Sequence, residues 1–291
     1  MSPNIATPIM SVNTAQPHAA QAHSPLIGVF DSGVGGLSVL RALHQQMPMA
    51  PLWYVADSGH APYGDRDPQH VVDRSHRVSD HLVEQGARMI VVACNTATAR
   101  AVDALRSRHP GIALVGVEPG VKPAAAASQR RCIAVMATPS TLASPRYADL
   151  VARHAPDCVV HPVPCSGLAA AIERGEAGRA EVDRLLDQYC KPLPALGVDT
   201  VVLGCTHYPF VADRIALRLG PDIQLLDTAD AVARRALDLV TMMPIRTSAE
   251  ASYPPTSNQR ITLQTTGEAA LLRRMTAVGL GQQLPVEQIS I

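Results

Sequence analysis

From Leu26 onward the chain repeats one pattern: a short apolar run, a break at Gly, Ser, Thr, Asp or Pro, then an amphipathic stretch of helix length. Apolar runs without alternation suit strands buried on both faces, and the amphipathic stretches between them supply the covering helices. The pattern predicts strands at 26–30, 52–56, 89–93, 113–117, 132–136, 158–161, 200–203 and 223–226, with a later one at 261–264. Helices are expected between them, among others at 37–47, 70–86 and 229–240, with a last one at 268–278. The polar, Pro-containing segment 247–260 reads as a surface loop. The expected class is α/β with parallel sheets.

The first eight strands divide into two sets of four with matching ends. Asp31 corresponds to Ala137 and Asp57 to Val163, each 106 residues apart, Cys94 to Cys205 at 111, and Glu118 to Asp227 at 109. The third strands end most alike, at Ala93-Cys94-Asn95-Thr96 and Gly204-Cys205-Thr206-His207. Two similar α/β domains related by pseudo-twofold symmetry are therefore expected, with the active site in the cleft between them.

Composition narrows the function. Of 291 residues 47% are apolar and 17% charged, enough apolar sequence for folded cores. Lys+Arg and Asp+Glu both number 25, so no basic surplus marks nucleic acid as the main partner or draws the chain to an anionic membrane. No apolar run approaches the roughly 18 residues of a membrane span. The first 25 residues lack Lys and Arg and any apolar core of a secretory signal. They read as a disordered tail on a cytoplasmic protein. The six cysteines, at 94, 132, 158, 165, 190 and 205, show neither zinc spacing nor a disulfide framework, so no metal is expected and the thiols should be reduced.

Ligands of open parallel sheets bind beyond the carboxyl ends of the strands. Asp31, Ser32, Tyr63, Gly64, Cys94, Asn95 and Thr96 fall there in the first half, and Thr138, Cys205, Thr206 and His207 in the second. A free Cys is most often a small buried hydrophobe, but Cys94 and Cys205 each follow a strand beside N-cap-type residues, where a helix N-terminus is expected to lower a thiol pKa. Facing each other across one cleft, they would form the opposed acid/base pair a racemase needs, one removing a proton and the other delivering one to the opposite face. Asp31 and His207 could assist as neighbouring acid/base groups. Pyridoxal phosphate would need a Schiff-base lysine, and the chain has only Lys122 and Lys191, each followed by Pro. The Asp31-Ser32-Gly33-Val34-Gly35-Gly36 turn lacks the full dinucleotide fingerprint, and its N–H groups suit an amino-acid carboxylate equally well. A cysteine-nucleophile hydrolase with His207 as base, and a two-lobed amino-acid binder, remain alternatives that leave the second matched cysteine unexplained.

These residues carry a family resemblance. The segments Gly28 to Leu37, Asp57 to Gly64, Ala93 to Ala97, Gly116 to Pro119 and Gly204 to Pro209 closely resemble glutamate racemase, with coverage from about Leu26 to Thr265-Thr266-Gly267. The resemblance implies cofactor-independent interconversion of L- and D-glutamate, supplying D-glutamate for bacterial peptidoglycan. It makes Cys94 and Cys205 the paired acid/base thiols. Asp31, Ser32, Tyr63, Gly64, Asn95, Thr96, Thr206 and His207 match substrate-binding positions, and Asp31 and His207 also match assisting groups. Glu173 falls near a further assisting carboxylate, although Cys165 to Ala170 depart from the usual pattern there and a helix-surface carboxylate is an equal reading. The implied domains are 26–117 plus 228–285, and 118–227. Homodimers are common in the family, and in some groups a peptidoglycan precursor activates the enzyme. A related cofactor-free aspartate or hydantoin racemase, or a maleate isomerase, is the neighbouring alternative.

Overall fold

A computed structural model describes residues 24–244 and 260–291. All but the last two residues of the expected N-terminal tail, and all but the last residue of the expected 247–260 loop, lie outside the described residues. Ten strands alternate with eleven α-helices among those residues: β1 Ile27–Asp31, α1 Leu37–Gln46, β2 Leu52–Ala56, α2 Pro68–Glu84, β3 Met89–Val92, α3 Asn95–Arg108, β4 Ala113–Gly116, α4 Val121–Ala127, β5 Cys132–Ala137, α5 Pro139–Leu142 and α6 Pro145–His154 come first. β6 Val159–Pro164, α7 Leu168–Glu173, α8 Arg179–Cys190, β7 Thr200–Leu203, α9 Ala212–Leu219, β8 Gln224–Leu226, α10 Ala229–Met242, β9 Ile261–Thr265, α11 Ala269–Leu280 and β10 Glu287–Gln288 follow.

The strands form two sheets, ordered β10-β9-β2-β1-β3-β4 and β6-β5-β7-β8, and all their pairings are parallel. Under the correspondence read from the sequence, β2-β1-β3-β4 maps onto β6-β5-β7-β8 without a change of order. Each sheet is covered on both sides. Leu37, Leu40, Val232, Ala233 and Leu272 of α1, α10 and α11 pack on one face of the larger sheet, and Val71, Val78, Leu82, Ala101 and Leu105 of α2 and α3 on the other. The smaller sheet buries Leu168, Ile172, Val182, Leu186 and Ile215 of α7 to α9 on one side, with Val121, Ala124, Tyr147 and Leu150 of α4 and α6 on the other. Central β1 and β3 are buried along their whole length, which is why they read as unbroken apolar runs.

Two elements depart from the sequence reading. β6 continues past residue 161 to Pro164, because an edge strand tolerates Pro162 and Pro164, which looked like breaks. The larger sheet extends beyond residue 285, where β10 pairs with β9 through Glu287↔Gln264 and Gln288↔Thr265.

Candidate active site

Side chains from the carboxyl ends of both sheets meet between them. Thr206 Oγ1 donates to Asp31 Oδ2 at 3.1 Å, Thr96 Oγ1 and Thr138 Oγ1 lie 3.0 Å apart, and Val34 N–H donates to Glu173 Oε2 at 3.0 Å. Asp31, Ser32, Asn95, Thr96, Thr138, Thr206 and His207 are all buried.

The two thiols have unlike surroundings. Cys94 is the N-cap of α3, its sulfur accepting from Ala97 N–H at 3.5 Å, and its thiol donates toward Ser32 Oγ at 3.7 Å. Cys205 leads instead into a short 3-10 turn, Tyr208–Val211, and its sulfur is 3.8 Å from His207 Nδ1. The expectation that a helix N-terminus lowers each thiol fails for Cys94. Burial pushes that thiol well above its usual range, the Asp31 and Cys205 charges push it further, and the Ala97 N–H does not offset them.

His207 is wired to Glu173, with Nε2 to Oε2 at 2.7 Å. Burial works against an imidazolium, but hydrogen bonds to Cys205 and Glu173, with their charges, hold His207 well above the ordinary histidine range. Burial likewise disfavours the Glu173 carboxylate, yet His207, Ser58 Oγ at 2.7 Å and the Val34 N–H bring it below its usual value. The two shifts agree on a charged pair. Glu173 is 9% exposed, so the helix-surface reading is overturned. Asp31 accepts from Ser32 N–H at 2.8 Å and Gly36 N–H at 2.6 Å, and burial raises its carboxyl despite the opposing His207 charge.

Gly35 and Gly64 permit these approaches. A Cβ at Gly35 would lie 2.5 Å from His207 Nδ1 and 2.6 Å from Thr206 Oγ1, and one at Gly64 would lie 2.7 Å from Thr138 Cγ2. The Tyr63–Gly64 turn thus faces the second sheet through its main chain, while the Tyr63 hydroxyl donates to Asp57 Oδ2 at 2.6 Å. The Asn95 side-chain nitrogen is buried and has no hydrogen-bond partner among the described residues. Glu118 lies outside this cluster and pairs with Arg146 at 2.8 Å.

Sequence reasoning did not single out Ser58 or the Asp57–Arg74 pair. The signal was present: Asp-Ser-Gly occurs after both β1 and β2, at 31–33 and 57–59. Lys122 is exposed, and Lys191 is exposed and paired with Asp187 at 2.9 Å. Among the described residues no group of three or more His, Cys, Asp or Glu is placed to hold a metal ion. No helix among them is long and apolar enough to cross a membrane.

Two parallel sheets with buried thiols and ionisable side chains meeting between them define a two-sheet α/β fold with an enzyme-like cleft. The chain belongs to the Asp/Glu/Hydantoin racemase family, whose model matches residues 13–236. It is therefore an amino-acid racemase, an isomerase. A glutamate racemase from Ralstonia pickettii is 43% identical over 271 residues, covering 93% of each chain. Among solved structures, a glutamate racemase isoform from Bacillus anthracis aligns with a TM-score of 0.79 at 29% identity, covering 92% of this chain and 99% of that one. Escherichia coli glutamate racemase, solved with L-glutamate and the activator UDP-MurNAc-ala, also gives 0.79, at 28% identity over 91% of this chain and 98% of its own.

Proposed function

We propose that this protein interconverts L- and D-glutamate without a cofactor, with Cys94 and Cys205 as its two acid/base groups. The observation that carries the proposal is geometric: from matched strand ends Cys94 reaches Ser32 and Cys205 reaches His207, and the neighbouring Asp31 and Thr206 are hydrogen-bonded to each other between the two sheets. One thiolate takes the Cα proton, the electron pair stays with the substrate and spreads into its carboxylate, and the opposed thiol protonates the other face. The thiol and thiolate have then exchanged places, so protons balance and no oxidation occurs. The protonated His207 beside Cys205 is placed to exchange a proton with it, and Glu173 holds His207 in that form. Asp31, beside Cys94, is the corresponding group of the other half.

The substrate carboxylates are assigned to main-chain N–H groups and hydroxyls at Ser32, Tyr63, Gly64, Asn95, Thr96, Thr138 and Thr206, with Asp31 and His207 at the edge of the same site. The first domain would comprise 26–117 plus 228–285, and the second 118–227. A cytoplasmic homodimer supplying D-glutamate to peptidoglycan is part of this reading. So is activation by a peptidoglycan precursor, as in the Escherichia coli relative.

The test is polarimetry of L-glutamate and L-aspartate with the purified protein and no added cofactor. Rotation should decay to zero with glutamate and persist with aspartate. Cys94→Ser and Cys205→Ser should each lower the rate by about 10² to 10⁴, the range for a positioned acid/base group. Unimpaired racemisation in both variants would refute the two-thiol mechanism.

A further inference from the structure

The Tyr63–Gly64 turn is braced from behind by groups the proton transfers do not use. Asp57 follows β2 and is fully buried, and Arg74 of α2 is 5% exposed. Their pairing is bidentate: Arg74 Nε donates to Asp57 Oδ2 at 2.9 Å and Nη2 to Oδ1 at 2.8 Å. The remaining Arg74 nitrogen, Nη1, donates to the main-chain oxygen of Ile291 at 2.8 Å. Asp57 also accepts from the Tyr63 hydroxyl at 2.6 Å and from Thr266 Oγ1 at 2.7 Å, and Thr266 Oγ1 in turn accepts from Gly59 N–H at 3.1 Å. One buried carboxyl thereby joins β2, α2, the 63–65 turn and the segment after β9.

A buried ion pair adds little net stability over apolar packing, because desolvation offsets its attraction. What a bidentate Arg–carboxylate pair does supply is fixed direction, since the planar guanidinium sets both oxygens at once. Here that direction passes through the Tyr63 hydroxyl to a turn whose other side touches Thr138, where a Cβ on Gly64 would come within 2.7 Å of a methyl carbon. Thr138 is in turn hydrogen-bonded to Thr96, beside Cys94. The turn therefore has no slack on either side.

We propose that Arg74 is a positioning residue for racemisation: paired with Asp57, it fixes the Tyr63–Gly64 turn at the distance from Thr138 needed to grip a substrate carboxylate. This rests on the glutamate racemase reading, in which the main chain of that turn meets the substrate.

The test is steady-state kinetics in both directions on Tyr63→Phe, Arg74→Lys and the double variant, with thermal melts and the wild type alongside. Tyr63→Phe removes only the hydroxyl link, and Arg74→Lys keeps the charge but loses the fork. Each should raise KM for both enantiomers about tenfold with kcat within about threefold, the mark of lost uniform binding. The double variant should be no worse than the weaker single one, because both changes cut the same linkage. A purely structural role predicts lower melting temperatures with unchanged KM, and that result overturns the proposal, as does additivity in the double variant. If Arg74→Lys does not fold, Tyr63→Phe decides alone by its KM. A wild type inert on glutamate overturns the functional reading and the proposal with it; an active wild type with unchanged KM in the variants overturns the proposal alone.

Discussion

Cys94 and Cys205 occupy equivalent strand ends but not equivalent chemistry. The Cys94 thiol faces Ser32 and the burial-raised Asp31, whereas Cys205 faces a protonated His207 that Glu173 holds in place. The two thiols could be found from the sequence because both follow an apolar strand with polar neighbours. The sign of the Cys94 shift could not, because it depends on burial and on Asp31, 63 residues away. Glu173 was reached only through the family resemblance, with a helix-surface carboxylate as the equal reading, since its partners Val34, Ser58 and His207 come together only on folding. Replacing Glu173 by Gln removes a charge that raises His207, so His207 should lose its proton at lower pH. The alkaline limb of kcat/KM should move to lower pH in Glu173→Gln, and an unmoved limb would exclude His207 as the group titrating there.

At the scale of elements, each site group is placed by what a strand end does next. After β1 the chain enters a glycine turn whose N–H groups converge on Asp31 and Glu173, and after β7 it brings Thr206 and His207 against that same turn. The Gly35→Ala substitution puts a methyl 2.5 Å from His207 Nδ1 and 2.6 Å from Thr206 Oγ1, so the ring, the hydroxyl or the turn must shift. It should lower kcat/KM at least tenfold, measured by coupled assay, in a protein whose far-UV circular dichroism is unchanged. Most elements were legible, because buried parallel strands and amphipathic helices carry unambiguous periods. β10 was not, being only Glu287–Gln288 and exposed, with no apolar pattern to betray it. The prolines of β6 concealed half of that strand for the reason edge strands allow: an N–H facing outward has no ladder bond to lose.

For the whole molecule, repetition of one α/β layout explains why two cysteines end equivalent strands of the two sheets. The two sheets share a strand order and differ in what surrounds the order: the larger adds β9 and β10, and with Thr266 and Ile291 it braces the turn opposite Thr138. The internal repeat was visible as near-constant spacing, but the hydrogen bonds that cross between the sheets, Thr206 to Asp31 and Thr96 to Thr138, follow from tertiary structure alone. The central claim is that the proton leaves to one thiol and arrives from another. It is tested most directly by incubating L-glutamate with the protein in deuterium oxide and reading deuterium at Cα in each enantiomer at early times. Two opposed thiols predict D-glutamate carrying deuterium from its first appearance while the remaining L-glutamate retains protium. Product that keeps the original protium, or deuterium appearing equally in both enantiomers from the start, would contradict it and leave a single base serving both faces.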